Sequence, residues 1–138
     1  MQKHKVYLSL GTNLGDKVRN LNVAIHELET LVGAVVRQSA FLPTSPWGFE
    51  SANGFLNCCV LCCTENSPRE VLELTQQIER NMGRRHKSVN GNYSDRIIDI
   101  DILLYDNLKV EEPDLKIPHP LMQERDFVMI PLEEILEK

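Results

Sequence analysis

Nothing in this 138-residue sequence approaches the ~20 consecutive apolar residues that a membrane-spanning helix requires. The opening Met1-Gln2-Lys3-His4-Lys5 is polar and runs straight into an alternating pattern, without an apolar signal region, so a cytoplasmic protein is expected. An excess of positive charge is missing too. Fifteen Lys and Arg stand against twenty Asp and Glu, a net charge of −5. That balance disfavours general nucleic-acid binding, which relies on neutralising phosphates. No repeat, low-complexity stretch or linker divides the chain, and its length suits a single domain, 1–138, around one core.

Cysteine occurs four times, all in one short run: Cys58, Cys59, Cys62 and Cys63. Cys59-Val60-Leu61-Cys62 has the C-x-x-C spacing found in zinc and redox sites. Residues 56–64 read as a strand, however, and residues three apart on a strand face opposite ways. Cys59 and Cys62 then cannot chelate one ion, and no second Cys or His pair has zinc-finger spacing. The expected role is that of small apolar residues filling a buried strand.

Apolar periodicity organises the remainder. Val6, Leu8 and Leu10 alternate with Tyr7 and Ser9, predicting a first strand, and Gly11-Thr12-Asn13-Leu14-Gly15-Asp16 reads as a tight turn. A helix is predicted over 16–32, with Val18, Leu21, Ile25, Leu28 and Val32 as its stripe and Gly33 as its stop. A second strand follows at 34–41. Residues 43–54 hold too many prolines and glycines for a regular element. After the third strand at 56–64, Ser67-Pro68-Arg69-Glu70 combines a Ser cap, a first-turn Pro and a capping-box Glu. That helix carries Val71, Leu74, Ile78 and Met82 and ends at Gly83. Residues 84–95 read as a loop, 97–105 as a fourth strand, and 108–111 as a short strand pairing back. An apolar run at 127–130 and a helical turn from Leu132 close the chain. The order β-α-β-β-α-β with extra C-terminal elements predicts an α+β, ferredoxin-like sandwich. Both helices cover one face of an antiparallel sheet, which leaves the other face for loops or a ligand.

Arg96-Ile97-Ile98-Asp99-Ile100-Asp101-Ile102-Leu103-Leu104 is the most informative segment. Alternation sends Ile98, Ile100, Ile102 and Leu104 into the core and Asp99 and Asp101 the other way. Same-face residues on a strand lie about 6.6 Å apart along the chain. Paired catalytic Mg²⁺ ions sit ~3.5–4 Å apart, so two such carboxylates can flank them. Asp is unfavourable in strands, and two like charges on one face repel, so the pair points to a divalent-metal site. Arg84, Arg85, His86 and Lys87 cluster just before it, which suits charge neutralisation in phosphoryl transfer. His119 stands between two prolines that fix its direction. Asn57 is an amide in an apolar strand and needs partners if buried. With Phe55 and Phe127 it could grip a flat heterocycle.

Taken together these segments resemble the 6-hydroxymethyl-7,8-dihydropterin pyrophosphokinase family. The matching segments are Leu10-Gly11-Thr12-Asn13-Leu14-Gly15-Asp16, Thr44-Ser45-Pro46-Trp47-Gly48, Phe55-Leu56-Asn57, Gln77-Ile78-Glu79, Arg96-Ile97-Ile98-Asp99-Ile100-Asp101, Ile117-Pro118-His119-Pro120 and Arg125-Asp126-Phe127. They follow the family's order over nearly the whole chain. The resemblance implies transfer of diphosphate from ATP to the pterin's hydroxymethyl group, releasing AMP, in folate biosynthesis. It implies two Mg²⁺ ions on Asp99 and Asp101. Phe55 and Phe127 would stack on the pterin, Asn57 would read its edge, and Thr44 and Trp47 would close that side. Arg84, Arg96, His119 and Arg125 would meet ATP phosphates, with Gln76, Glu79 and Ile102 also on the nucleotide side. Arg84 and Arg96 would join the two acids in catalysis. The partners are then small molecules, with no nucleic acid or membrane, and a monomer is expected. Two rival readings use part of the pattern. A nucleotidyltransferase would share the Asp pair but release pyrophosphate. A non-catalytic ferredoxin-like module would want basic and aromatic residues on the sheet face, where the acids stand.

Overall fold

The computed structural model describes residues 3–44, 54–83 and 97–137. Along the chain run β1 (His4–Thr12), α1 (Lys17–Leu31), β2 (Gly33–Gln38), β3 (Leu42–Thr44), β4 (Phe55–Thr64), α2 (Pro68–Asn81), β5 (Asp99–Tyr105), β6 (Val110–Glu112), β7 (Leu115–Ile117) and α3 (Asp126–Ile135). The main sheet is antiparallel in the order β2-β4-β1-β5. This is the expected ferredoxin-like arrangement, with β1 and β4 at its centre.

Local chemistry sets the helix ends. The Asp16 side chain accepts from the Arg19 N–H at 3.1 Å and opens α1. Ser67 and Glu70 form the predicted capping box at α2, with Pro68 in the first turn. At the far end of α1 the Val32 carbonyl accepts from Thr64 Oγ1 at 2.6 Å and from Asn66 Nδ2 at 3.0 Å. The glycine after it has a different task from the one expected. A Cβ on Gly33 would lie 1.9 Å from the Cys63 carbonyl oxygen, so Gly33 permits β2 to start against β4. Val18 also departs from the predicted stripe. It is exposed, and Ala24 occupies the buried helix face with Leu21 and Leu28.

Two cores lie on opposite faces of the sheet. Val6, Leu8 and Leu10 pack with Cys58, Val60, Cys62, Ile98, Ile100 and Ile102 beneath α1 and α2. Tyr7, Cys59, Leu61 and Leu103 pack on the other side with Met122, Val128, Leu132 and Ile135. The face left for loops or a ligand is therefore partly roofed by α3. Pro131 near its middle masked this helix in the sequence, and four apolar residues alone gave too short a period to read. Hydrogen bonds fasten it: Ala40 N–H donates to Glu134 Oε1 at 2.9 Å, and Glu137 N–H to the Tyr7 hydroxyl at 3.1 Å.

Three further expectations are corrected. The second strand stops at Gln38, and Leu42–Thr44 forms β3 within the breaker-rich region by pairing with the start of β4. The short strand near 108–111 pairs forward with β7 in a separate hairpin. Arg69 ties that hairpin to the start of α2 through Glu112 and Asp114. Leu104 does not join the helix-side core, because the β1–β5 register shifts between Tyr7 and Leu8. The shift puts both Leu103 and Leu104 against the α3 side and returns Tyr105 to the helix side. The loop expected at 84–95 lies outside the described residues.

The cysteines fill the strand as predicted. Cys58 and Cys62 face the helices and Cys59 faces α3. Burial pushes each of these three thiols up to about 12, so they remain protonated and inert near neutral pH. Cys63 is partly exposed. A thiol reagent applied to the native protein should modify Cys63 alone, and rapid modification of Cys59 or Cys62 would contradict this packing. Gly33→Ala should lower stability by about 2 kcal/mol or more, because backbone must move to admit the methyl group. Denaturant unfolding with an unchanged midpoint would show that the close approach is not rigid.

Candidate active site

Strand register lines up the predicted residues. Across β5, β1, β4 and β3 one row reads Asp99, Gly11, Asn57 and Leu42. The neighbouring row reads Asp101, Ser9 and Cys59. The next brings in Tyr7 and Leu61, already under α3. The face thus changes from apolar to polar where α3 begins, and Asp99 and Asp101 stand half-buried on the polar part.

Gly11 keeps the middle of this floor flat. A Cβ there would lie 3.0 Å from Asn57 Oδ1 and 3.7 Å from Phe55 Cδ1. Asn57 is buried, and its Nδ2 donates to the Leu42 carbonyl at 3.2 Å and to Thr44 Oγ1 at 3.0 Å. Those bonds fix the amide so that its oxygen lies over Gly11 as a ready acceptor. Thr44 and Phe55 are paired residues at the open end of β3 and β4. Lys17 Nζ reaches the same corner and donates to the Gly54 carbonyl at 2.9 Å.

The C-terminal segment supplies the opposite wall. His119 N–H donates to the Leu103 carbonyl at 3.0 Å, which pins the segment to the outer edge of β5. The ring's Nδ1 accepts from the Leu121 N–H at 3.2 Å, so the neutral ring carries its proton on Nε2. Burial holds the His119 pKa below its ordinary value; the Arg125 cation acts in the same direction and the Asp99 carboxylate opposes both. His119, Arg125 and Asp99 therefore share one electrostatic neighbourhood. Arg125 precedes α3, and its guanidinium lies 5.8 Å from the centroid of the Phe127 ring.

On α2, Gln76 is exposed, whereas Glu79 is buried with Oε2 accepting from the Ile100 N–H at 2.8 Å. Ile102 is buried on the helix side. Trp47, Arg84 and Arg96 lie outside the described residues, as do Arg85, His86, Lys87 and Tyr93. Ser9 and Gly11 pair in register with the two acids, whereas the sequence pattern puts Gly11 in the turn. Extending the Tyr7–Ser9 alternation by one step would have placed both on the face of the acids.

The sequence model of the 7,8-dihydro-6-hydroxymethylpterin-pyrophosphokinase (HPPK) family matches residues 7–137. The chain belongs to this family. The 2-amino-4-hydroxy-6-hydroxymethyldihydropteridine pyrophosphokinase of Porphyromonas gingivalis is 50% identical over 131 residues, spanning 94% of this chain and 89% of that protein. The Bacillus subtilis protein of the same name is 39% identical and spans 96% of this chain and 78% of its own length. Among solved structures, a Plasmodium falciparum HPPK-DHPS triple mutant with SDX-DHP superposes with a TM-score of 0.74 at 20% identity. It covers 96% of this chain, which spans only 40% of that longer chain, and the likeness speaks to the fold. As an HPPK, this chain is an ATP-dependent pyrophosphokinase of folate biosynthesis.

Because the folded HPPK chain resists protonation of His119, that ring's contribution to stability is complete above pH 6.5. It declines as the pH falls below 6.5 toward the lowered native value. An NMR titration of the His119 ring in the free protein should give a midpoint below 6.5. A midpoint above 6.5 would show that Asp99 governs its field instead.

Proposed function

We propose that diphosphate transfer takes place on the floor formed by Asp99, Asp101, Gly11 and Asn57, with ATP on the His119–Arg125 side and the dihydropterin on the Phe55–Asn57 side. The observation that carries this is the row of paired residues from Asp99 through Gly11 to Asn57. It sets Asp99 across Gly11 from a fixed amide acceptor, with Asp101 in the neighbouring row on the same face and a histidine and an arginine near Asp99.

The two acids suit Mg²⁺. They are same-face carboxylates on one strand, and this ion typically takes one or two carboxylates together with substrate phosphates and water. Substrate phosphates and water would complete the coordination of such an ion. Two Mg²⁺ on Asp99 and Asp101 would neutralise the triphosphate and lower the pKa of the attacking hydroxyl. Arg125 and the Nε2–H of His119 are donors for phosphate oxygens, and Arg84 and Arg96 add cations during transfer. Gln76 and the β5 segment around Ile102 border the nucleotide. Phe55 and Phe127 offer ring faces to the pterin, Asn57 Oδ1 accepts from its N–H groups, and Thr44 and Trp47 bound that side. The pterin hydroxyl loses its proton to solvent as its oxygen attacks the β-phosphorus, the bond between the β-phosphorus and the α-phosphate oxygen breaks, and AMP leaves. Holding both substrates on one rigid sheet supplies much of the rate through positioning.

The same reading takes 1–138 as one pyrophosphokinase domain, acting as a monomer in the cytoplasm on small-molecule substrates. No described helix is long and apolar enough to cross a membrane.

Incubation with ATP, Mg²⁺ and 6-hydroxymethyl-7,8-dihydropterin should form AMP only when the pterin is present. Release of pyrophosphate would favour a nucleotidyltransferase, and ADP would also overturn the proposal. Asp99→Asn and Asp101→Asn should each lower kcat by about a hundredfold or more, equivalent to ~3 kcal/mol, with unchanged thermal unfolding. Near-normal turnover in either variant would remove that acid from the metal site.

A further inference from the structure

We propose that Glu79 is a positioning residue for the acid pair: its buried carboxylate holds the Ile100 N–H at the outer edge of β5 and so fixes the backbone from which Asp99 and Asp101 project. The proposal rests on the metal reading of those two acids, and the experiment below separates the two.

Among the described residues β5 is the edge strand of the main sheet and pairs with β1 alone. Half of its backbone groups therefore point away from any strand. Ile100, the residue between the two acids, donates from this open edge to Glu79 Oε2 at 2.8 Å. Glu79 sits near the end of α2 and is only 8% exposed, next to the fully buried Ile78. A carboxylate is a stronger acceptor than a neutral oxygen, and an unpaired buried N–H is unfavourable. Three residues on, the Leu103 carbonyl accepts from the His119 N–H at 3.0 Å. The strand is thus gripped on its outer edge on both sides of Asp101, once by α2 and once by the His119 segment. Such a hold matters here, because two carboxylates on one face repel and an edge strand has a neighbouring strand on one side only. The contact that carries the proposal is with the backbone: Glu79 Oε2 accepts from the Ile100 N–H at 2.8 Å. The carboxylate meets β5 through the main chain, on the side where α2 packs.

The test compares the wild type with Glu79→Ala and with Glu79→Gln, which keeps a side-chain oxygen for the Ile100 N–H. Amide exchange by NMR should be faster at Ile100 in Glu79→Ala by about a hundredfold, with wild-type rates kept at Leu8 and Val60. Glu79→Gln should stay near the wild type. Mn²⁺ binding to the nucleotide-free protein, read by electron paramagnetic resonance of the free ion, should weaken by about tenfold in Glu79→Ala and recover in Glu79→Gln. Unchanged exchange at Ile100 in Glu79→Ala overturns the proposal. So does a Glu79→Gln protein that binds Mn²⁺ much more weakly than wild type, because the charge and not the grip on Ile100 would then be what matters. That second comparison stands alone if Glu79→Ala fails to fold. Should Asp99→Asn and Asp101→Asn bind Mn²⁺ like the wild type, the metal reading fails and the proposal with it. If those variants lose Mn²⁺ while Glu79→Ala retains it, only the role of Glu79 fails.

Discussion

The register of β1 between β4 and β5 is the constraint on which the rest of the structure depends. From Leu8 to Gly11 of β1 and along the residues they pair with, side chains alternate between the two faces and the pairing keeps the alternation in phase. Leu8 and Leu10 therefore share a face with Val60, Cys58, Ile100 and Ile102, while Ser9 and Gly11 share the other with Asn57, Asp99 and Asp101. A slip of one residue on β5 would drive both acids under α1 and α2 and bring isoleucines to the floor. The hydrophobic core thus enforces the site's geometry: the free energy of burying Ile98, Ile100 and Ile102 holds the carboxylates on the opposite side.

Each face of the sheet is divided differently. The helix side is covered by α1 and α2, and Val6, Leu8, Leu10, Cys58, Val60, Cys62, Ile98, Ile100 and Ile102 form its continuous apolar core. Among the described residues the other side is covered by α3, and its residues change from Tyr7, Leu61 and Leu103 to Ser9, Gly11, Asn57 and the acids. The register shift near Tyr7 and Leu8 belongs to this division. It turns Leu103 and Leu104 together toward α3 and so thickens the apolar end without disturbing the polar one. Because α3 starts at Asp126, the same helix that closes the second core also delivers Arg125 and Phe127 to its boundary with the open floor.

The proposed site therefore draws on three separate parts of the chain held by one sheet. β5 brings the acids, β3 and β4 bring Thr44, Phe55 and Asn57, and the C-terminal segment brings His119, Arg125 and Phe127. Polar ties fasten these parts to each other. Asn57 links β4 to β3, His119 links the C-terminal segment to β5, and Glu79 links α2 to β5. Sites mounted on strands and short anchored segments lose little entropy when substrates bind, which suits a reaction accelerated largely by positioning.

By itself the sequence determined the β-α-β-β-α-β order of the main elements, the capping box of the second helix, the opposite facing of Ile98, Ile100 and Ile102 and of Asp99 and Asp101, and the space-filling role of Cys58, Cys59 and Cys62. These follow from local rules: period-two or 3.6 alternation, cap chemistry, and the opposite facing of residues three apart. It also determined the family, through motifs such as Asp99-Ile100-Asp101 and Pro118-His119. It did not reveal β3, whose three residues become a strand only because β4 offers an edge to Leu42 and Thr44. It did not reveal α3 as a full helix, since Pro131 and a short apolar run hide its period until Tyr7, Leu61 and Leu103 provide a surface to cover. Nor did it show that Gly11 lies in the floor, or that Glu79 reaches the main chain between the two acids. Those facts depend on contacts between residues far apart in sequence, and only the folded sheet brings them within hydrogen-bonding range.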